Sequence, residues 1–132
     1  MPALDTNVLV RFLVRDDGAQ AAAATELVRR AAAAGEALFV PITVALELEW
    51  VLRSNYELAK TDIARTFCSL LSTDELSFES EAALEYALLL WQERRADFSD
   101  CVHVALAAHA GEQPLWTFDR KASALPGADM LK

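Results

Sequence analysis

Two carboxylates stand where apolar runs of the chain end. Asp5 follows the short apolar start of the sequence, and Asp119 directly follows the apolar run at residues 115–118. In open parallel sheets, ligands bind beyond the carboxyl ends of the strands, so polar residues at these points are candidates for chemistry. Aspartate is also common at such turns because it caps the helix that follows. Each residue alone therefore leaves both interpretations open.

Helical spacing distinguishes Glu47 from the carboxylate two residues after it. The neighbours of Glu47 one turn away, Val44 and Trp50, are apolar, whereas Glu49 has Arg53 four residues on and is expected to pair with it at the surface. An unpaired carboxylate beside an apolar face costs free energy unless something compensates it. Glu47 is therefore a candidate ligand, and the alternative is a glutamate that bends into solvent at the edge of the face.

Two further carboxylates, Asp97 and Asp100, stand at the start of a predicted helix, where the helix dipole alone would favour them. Asp5, Glu47, Asp100 and Asp119 all lie at strand ends or in the first turns of following helices, so one fold could bring them to the same sheet edge. Four like charges in one pocket repel each other. A hard divalent cation, Mg²⁺ or Mn²⁺, would offset that cost because it takes oxygen ligands.

Alternating helices and short strands must position these residues. Apolar spacing and breaker residues predict helices at residues 8–14, 20–34, 44–53, 62–71, 80–94 and 99–110 and strands at 3–4, 37–42, 76–79, 115–118 and 130–131. Thr43 and Thr61 are the expected N-caps of the third and fourth helices, residues 15–18 are an expected break, and Gly35 and Gly111 are expected helix ends. This alternation predicts an α/β fold, a three-layer sandwich with a mostly parallel central sheet. Residues 1–132 are expected to form one domain.

Composition excludes several classes of protein. The longest uncharged apolar stretch is far shorter than the roughly 20 residues that span a bilayer, and the first residues do not resemble an export signal. We therefore expect a cytoplasmic protein without a membrane role. Cys68 and Cys101 are too few and too far apart for a disulfide framework or a cysteine zinc site, and both are expected to be buried thiols.

The overall charge argues against nucleic acid as a ligand. Twenty acidic and twelve basic residues give a net charge of −8, whereas proteins that hold polyanions usually present a basic surface. Bound cations or a local cluster of basic residues would be needed to offset that field. The candidate basic residues are Arg11, Arg15, Arg53, Arg94, Arg95, Arg120 and Lys121.

Other catalytic motifs are absent from the sequence. There is no His-Glu-x-x-His, no glycine-rich phosphate loop and no Gly-x-Ser-x-Gly. His103 lies on the same helical face as Asp100 and would border a site there, although we expect it to pack in the core. Trp50 and Trp91 are likewise expected in the core, because aromatic residues at helical spacing usually are.

Four segments resemble, in order and at fitting spacing, the signature blocks of PIN-domain ribonucleases, and most closely those of VapC-type toxins of bacterial toxin–antitoxin pairs. The segments are residues 4–11 (LDTNVLVR), 44–53 (VALELEWVLR), 97–103 (DFSDCVH) and 117–120 (TFDR). Any one block is weak evidence, but four in register are specific. The resemblance extends over essentially the whole chain.

That resemblance implies a catalytic site and partners. Asp5, Glu47, Asp100 and Asp119 match the acidic quartet that binds Mg²⁺ or Mn²⁺ in the family, and Asp97 matches an additional acidic position in part of it. Thr6, Asn7 and Thr117 match polar residues that line the site, while Cys101 stands where alanine is usual. The implied activity is metal-dependent cleavage of RNA through an activated water. The implied partners are RNA, a cognate antitoxin and a second copy of the chain.

Three other functions remain open. A signalling receiver domain is also a short α/β protein with an acidic Mg²⁺ pocket, but no lysine lies between Lys60 and Lys121 to serve its site. A non-catalytic binding module on a PIN-like fold would be expected to lack part of the quartet, and no position is missing. A housekeeping RNA-processing nuclease without an antitoxin would carry the same residues.

Overall fold

The structure is a computed structural model that describes residues 1–16 and 18–132. It contains two compact units, residues 1–79 and residues 80–132, and each is treated by itself below. The prediction of one domain over the whole chain stays a prediction. Among the described helices, none combines the length and the apolar character that crossing a bilayer requires.

The first unit packs four helices and two strands. Its elements are α1 (Thr6–Val14), α2 (Gly18–Ala34), β1 (Leu38–Val40), α3 (Ile42–Ser54), α4 (Lys60–Leu71) and β2 (Leu76–Phe78). Strand β1 pairs in parallel with β2, with Leu38 opposite Leu76. Ala3 adds a parallel bridge to Phe39 on the other side of β1. The chain therefore enters α1 from the end of an extended segment, and this places Asp5 at the end of that segment.

The second unit contains α5 (Glu81–Glu93), α6 (Phe98–Ala110), β3 (Leu115–Thr117), α7 (Arg120–Ser123) and β4 (Ala128–Met130). Helices α5 and α6 pack together, and the ring of Trp91 meets that of Phe98 edge to face at 5.2 Å between centroids. Strands β3 and β4 pair in parallel, with Leu115 opposite Ala128 and Thr117 opposite Met130. The turn between β3 and α7 consequently begins at the carboxyl end of a paired strand.

The α/β class and the parallel pairing are confirmed, because every strand pairing in the described residues is parallel. Gly35 and Gly111 follow α2 and α6 with positive φ, as expected of residues that end helices. Arg15 ends α1 in the left-handed conformation within the expected break. Asp17, which belongs to the same break, lies outside the described residues. Helix α7 was not predicted from the sequence.

The two predicted threonine caps are wrong. Helix α3 begins at Ile42 after Pro41, and α4 begins at Lys60 after Ala59, so Thr43 and Thr61 lie inside their helices. In α3 a distant residue serves the capping function, since the backbone N–H of Ile42 donates to Glu79 Oε1 at 2.8 Å. A cap supplied from the end of another strand leaves no signal in the local sequence.

Two predictions of burial are also wrong. Cys101 and Trp91 are buried as expected, but Cys68 is exposed on α4 and Trp50 is 53% exposed on α3. The buried residues of α3 instead include Val44, Ala45, Leu48, Glu49 and Leu52. These positions follow one stripe of the helix, and Trp50 falls outside it.

Candidate active site

Asp5 is held at the start of α1 as its N-cap. The carboxylate Oδ1 accepts a hydrogen bond from the backbone N–H of Thr6 at 2.8 Å, and Asp5 itself is exposed. The capping explanation left open by the sequence is therefore correct for Asp5. Capping is compatible with metal binding by Asp5, because the cap holds the carboxylate exposed at the end of an extended segment.

Thr6 connects Asp5 to Glu47. Its side chain is 3% exposed, and its hydroxyl donates a hydrogen bond to Glu47 Oε1. Thr6 thus contacts one carboxylate through its backbone and the other through its side chain. The structure brings Asp5, Thr6 and Glu47 together in the first unit, although Glu47 lies 41 positions after Thr6 in the sequence.

The comparison of Glu47 with Glu49 corrects the sequence argument. Glu49 does pair with Arg53, at 2.7 Å, but it is the buried carboxylate of α3, with 5% of its surface exposed. Glu47 is the exposed one, and it has a partner in Thr6. Trp50 does not mark the apolar face of α3, because its side chain is 53% exposed. Glu47 keeps its candidacy on different grounds, as an exposed carboxylate oriented by a buried hydroxyl.

In the second unit, two helix starts present the carboxylates Asp97, Asp100 and Asp119. Asp97 is the N-cap residue of α6 by backbone conformation, yet its side chain makes no capping hydrogen bond. Asp100 lies in the first turn of the same helix. Asp119 caps α7, and its Oδ1 accepts from the backbone N–H of Ala122 at 2.8 Å.

Asp100 is the electrostatic centre of this group. Partial burial raises its pKa above the ordinary value, and the negative charges of Asp119 and Asp97 raise it further, while His103 acts in the opposite direction. Asp119 and Asp97 therefore lie close enough to Asp100 to repel its negative charge. His103 is exposed rather than packed in the core, so it borders this group as the alternative interpretation proposed.

Of the two remaining predicted residues, Thr117 contacts the backbone of a candidate ligand, Asp119, whereas Asn7 borders a separate cleft. Thr117 Oγ1 accepts from the backbone N–H of Asp119 at 3.0 Å, which fixes the turn that carries this carboxylate. Asn7 is exposed in the first turn of α1 and borders a cleft of about 300 Å³ between α1 and α2. Sequence analysis gave no role to the two residues that flank Thr117. Trp116 and Phe118 are 59% and 77% exposed, and only the structure separates such side chains from those of a buried strand.

The donor chemistry of these side chains fits a hard divalent cation. Every candidate ligand is a carboxylate, and Mg²⁺ and Mn²⁺ prefer oxygen ligands. A cation would also relieve the repulsion at Asp100. Among the residues that the structure describes, no three histidine, cysteine or acidic side chains form a ready-made metal-binding group. The structure thus gives an oriented pair, Asp5 and Glu47, in one unit, and in the other it places two acidic neighbours, Asp119 and Asp97, near Asp100.

Comparison with known proteins shows the family of this chain. A sequence model of the PIN domain matches residues 3–128, which include all of the candidate site residues of both units. The chain is also similar to a protein named VapC ribonuclease from Aquifex aeolicus (strain VF5), with 27% identity over 121 residues, 92% of this chain and 89% of the relative. The blocks of sequence that resemble PIN-domain ribonucleases are therefore part of a match along nearly the whole chain, and the chain belongs to the PIN-domain family.

Proposed function

We propose that this protein is an Mg²⁺- or Mn²⁺-dependent endoribonuclease and the toxin of a type II toxin–antitoxin pair, acting in the cytoplasm. The observation that carries the proposal is the placement of Asp119 and Asp97 near Asp100, whose charge they repel, in a chain that matches the PIN domain. Fold stability alone gives no reason to gather like charges. The name of the similar protein, a ribonuclease, supports RNA as the substrate.

The proposed ligands are Asp5, Glu47, Asp100 and Asp119, and Asp97 is an additional one. Divalent ions held by these carboxylates would supply a water of lowered pKa and would stabilise negative charge on the phosphate and the leaving oxygen. The protein's own contribution is orientation. The Thr6 hydroxyl fixes Glu47, while backbone N–H groups fix Asp5 and Asp119. Thr117 holds the turn at Asp119. Asn7, exposed in the first turn of α1, is proposed to line the site.

The carboxylates of Asp5 and Asp119 are ordered before any cation binds. Asp5 and Asp119 each accept a backbone hydrogen bond at 2.8 Å, so little rotamer freedom remains to be lost when a cation binds. Asp100 is different, because burial and its acidic neighbours disfavour its ionised form, which a bound cation would stabilise. Cation binding and the ionised form of Asp100 therefore stabilise each other.

Because the net charge is −8, bound cations or a local cluster of basic residues must offset the repulsion of a polyanion. Divalent ions reverse the local field around the carboxylates. Of the basic residues proposed to guide RNA, Arg11 and Arg53 are committed to ion pairs with Asp16 and Glu49. Arg120 and Lys121 are exposed beside Asp119 and are better placed to contact phosphates. A cognate antitoxin that inhibits the enzyme and a homodimeric assembly are part of the same proposal, from the resemblance of the signature blocks to those of VapC-type toxins.

Cleavage of total cellular RNA by the purified chain tests the proposal. We expect discrete products with Mg²⁺ or Mn²⁺, none with chelator, and none from Asp5→Asn. Asparagine is a good N-cap residue, so this variant keeps the start of α1 while it removes the charge. Equal cleavage by the variant would identify a contaminating nuclease. No cleavage by the folded, antitoxin-free protein would favour a non-catalytic module.

Metal binding predicts a rise in thermal stability. A ligand that binds only the folded chain at 100 times its Kd adds about 2.7 kcal/mol to the free energy of unfolding, on the order of 10 °C in Tm for a chain of this size. We expect MgCl₂ to raise the Tm of the wild type, and NaCl of matched ionic strength to leave it nearly unchanged. An equal shift in both salts would contradict a specific site.

A further inference from the structure

The segment that leads to Asp119 exposes two aromatic side chains. Trp116 is 59% exposed and Phe118 is 77% exposed, the highest exposure among the large apolar side chains that the structure describes. Both belong to the second unit, and they alternate with Thr117 and Asp119 along the chain. Large apolar surface left in water marks a place where something binds.

The backbone that carries these rings is fixed. The chain turns at Phe118 between two hydrogen bonds, Asp119 N–H to Thr117 Oγ1 at 3.0 Å and Ala122 N–H to Asp119 Oδ1 at 2.8 Å. Ala122 and Leu125 are buried and anchor the turn from beneath. On the other side, the backbone N–H of Leu131 donates to the carbonyl of Thr117 at 2.9 Å. The backbone at Phe118 therefore presents its ring with little freedom to be lost on binding.

Trp116 lies on β3, and Phe118 lies in the bend directly after the last residue of that strand, Thr117. Residues two apart in a chain have Cα atoms at most about 7 Å apart, so the two exposed aromatic residues are attached within that distance of each other. That spacing suits two successive bases of an unpaired strand, one on each ring. Phe118 also directly precedes Asp119, so one aromatic residue adjoins the residue that carries this carboxylate.

The charges around the rings favour a nucleic acid over a purely apolar partner. Arg120 and Lys121 follow immediately, are exposed, and form no ion pair with any residue that the structure describes. Trp116 lines a concave surface of about 650 Å³ that also contains opposite charges. Its other lining residues are Ser123, Asp129, Met130, Leu131 and Lys132. Asp129 disfavours a phosphate there but not an uncharged base.

We infer that Trp116 and Phe118 form a stacking platform for unpaired bases of single-stranded RNA, and that Arg120 and Lys121 hold the adjoining phosphates. Bases stack on exposed aromatic rings without sequence preference because every base has a π-face, while basic residues track the backbone. The inference rests on the proposed ribonuclease function and narrows its substrate to RNA that is unpaired next to the cleavage position.

Direct binding in chelator tests the platform without cleavage. The full chain is titrated against a short fluorescent single-stranded RNA of mixed sequence and against the same strand annealed to its complement. We expect tighter binding of the single strand. We expect the double variant Trp116→Leu/Phe118→Leu to weaken single-strand binding at least about tenfold and to leave duplex binding unchanged. The ring-retaining variant Trp116→Phe/Phe118→Tyr should bind as the wild type does.

Salt dependence separates stacking from charge. Each phosphate contact on a single strand contributes about 0.7 to the slope of log K against log salt. Arg120→Gln/Lys121→Gln should therefore lower the slope by about 1.4, whereas the leucine double variant should leave the slope unchanged and lower affinity at every salt concentration. Leu89→Ala, which removes another exposed apolar side chain, on α5, should change neither quantity.

The outcomes also distinguish this inference from the proposed function. If the leucine double variant binds single-stranded RNA as the wild type does, the platform is refuted, while metal-dependent cleavage by the wild type would still uphold the ribonuclease. If that variant instead changes the oligomeric state in sedimentation and leaves RNA binding intact, the surface is a protein contact. A wild type that neither binds nor cleaves RNA would refute both.

Discussion

Replacing Asp100 with asparagine is expected to abolish cleavage and to leave the fold intact or more stable. Positions that only orient a metal ligand already contribute about 10- to 100-fold to activity, so loss of a proposed ligand should cost at least about 100-fold. The stability expectation follows from the repulsion that Asp119 and Asp97 exert on Asp100 in the folded chain. A residue retained for stability would behave in the opposite way.

The dependence of stability on pH has a defined sign. The pKa of Asp100 is raised above its ordinary value of 3.8, first by burial and then by its acidic neighbours. The folded state thus holds the proton more tightly than the unfolded state, and Asp100 destabilises the fold once pH rises through the raised pKa. We expect Asp100→Asn to gain stability relative to the wild type near neutral pH and to lose that advantage as pH falls below about 4.

Chemical denaturation of both proteins in chelator, from acidic to neutral pH, measures this difference without metal. Marked destabilisation of the variant near neutral pH would make Asp100 a structural residue. Activity of the well-folded variant at the wild-type rate would remove Asp100 from the proposed site.

The two glutamates of α3 give the second large contrast. Glu47→Gln is expected to reduce cleavage at least about 100-fold with little effect on stability, because Glu47 is exposed and glutamine still accepts the Thr6 hydrogen bond. Glu49→Gln is expected to lose about 1–2 kcal/mol of stability, since it neutralises a buried carboxylate that Arg53 binds at 2.7 Å. Its activity per folded molecule should be nearly that of the wild type.

Urea denaturation and cleavage rates of the two variants, compared side by side, measure this contrast. Each variant is the control for the other, because both replace a glutamate with glutamine on the same helix two residues apart. The assignment is reversed if Glu49→Gln loses activity while folded and Glu47→Gln keeps it.

The sequence predicted the element types well because each depended on local spacing. Helix ends at Gly35 and Gly111 needed only a residue that tolerates positive φ. The start of α3 could not be predicted locally, since the group that binds its first N–H belongs to Glu79, 37 residues away. Parallel pairing followed from the alternation of strands and helices.

In the candidate site, too, local patterns could be predicted from the sequence, whereas features that depend on tertiary packing could not. Positions of Asp5 and Asp119 at strand ends were readable, because a run of apolar residues followed by aspartate is a local pattern. The roles of Glu47 and Glu49 were not, because they depend on which face of α3 is buried, and Trp50 misled that judgement by remaining exposed. Thr6 could not be linked to Glu47 from spacing alone, since packing of α1 against α3 creates their contact. The exposure of Trp116 and Phe118 was likewise a property of the fold.

The chemical ends of the RNA products test the central claim most directly. Attack by a metal-activated water yields linear phosphate termini, whereas attack by the neighbouring 2′-hydroxyl of the RNA yields a 2′,3′-cyclic phosphate. We predict linear monophosphate termini from the purified chain with Mg²⁺ or Mn²⁺, with neither product in chelator or from Asp5→Asn. Cyclic phosphate ends that persist in chelator would contradict a metal-dependent hydrolase built on these carboxylates.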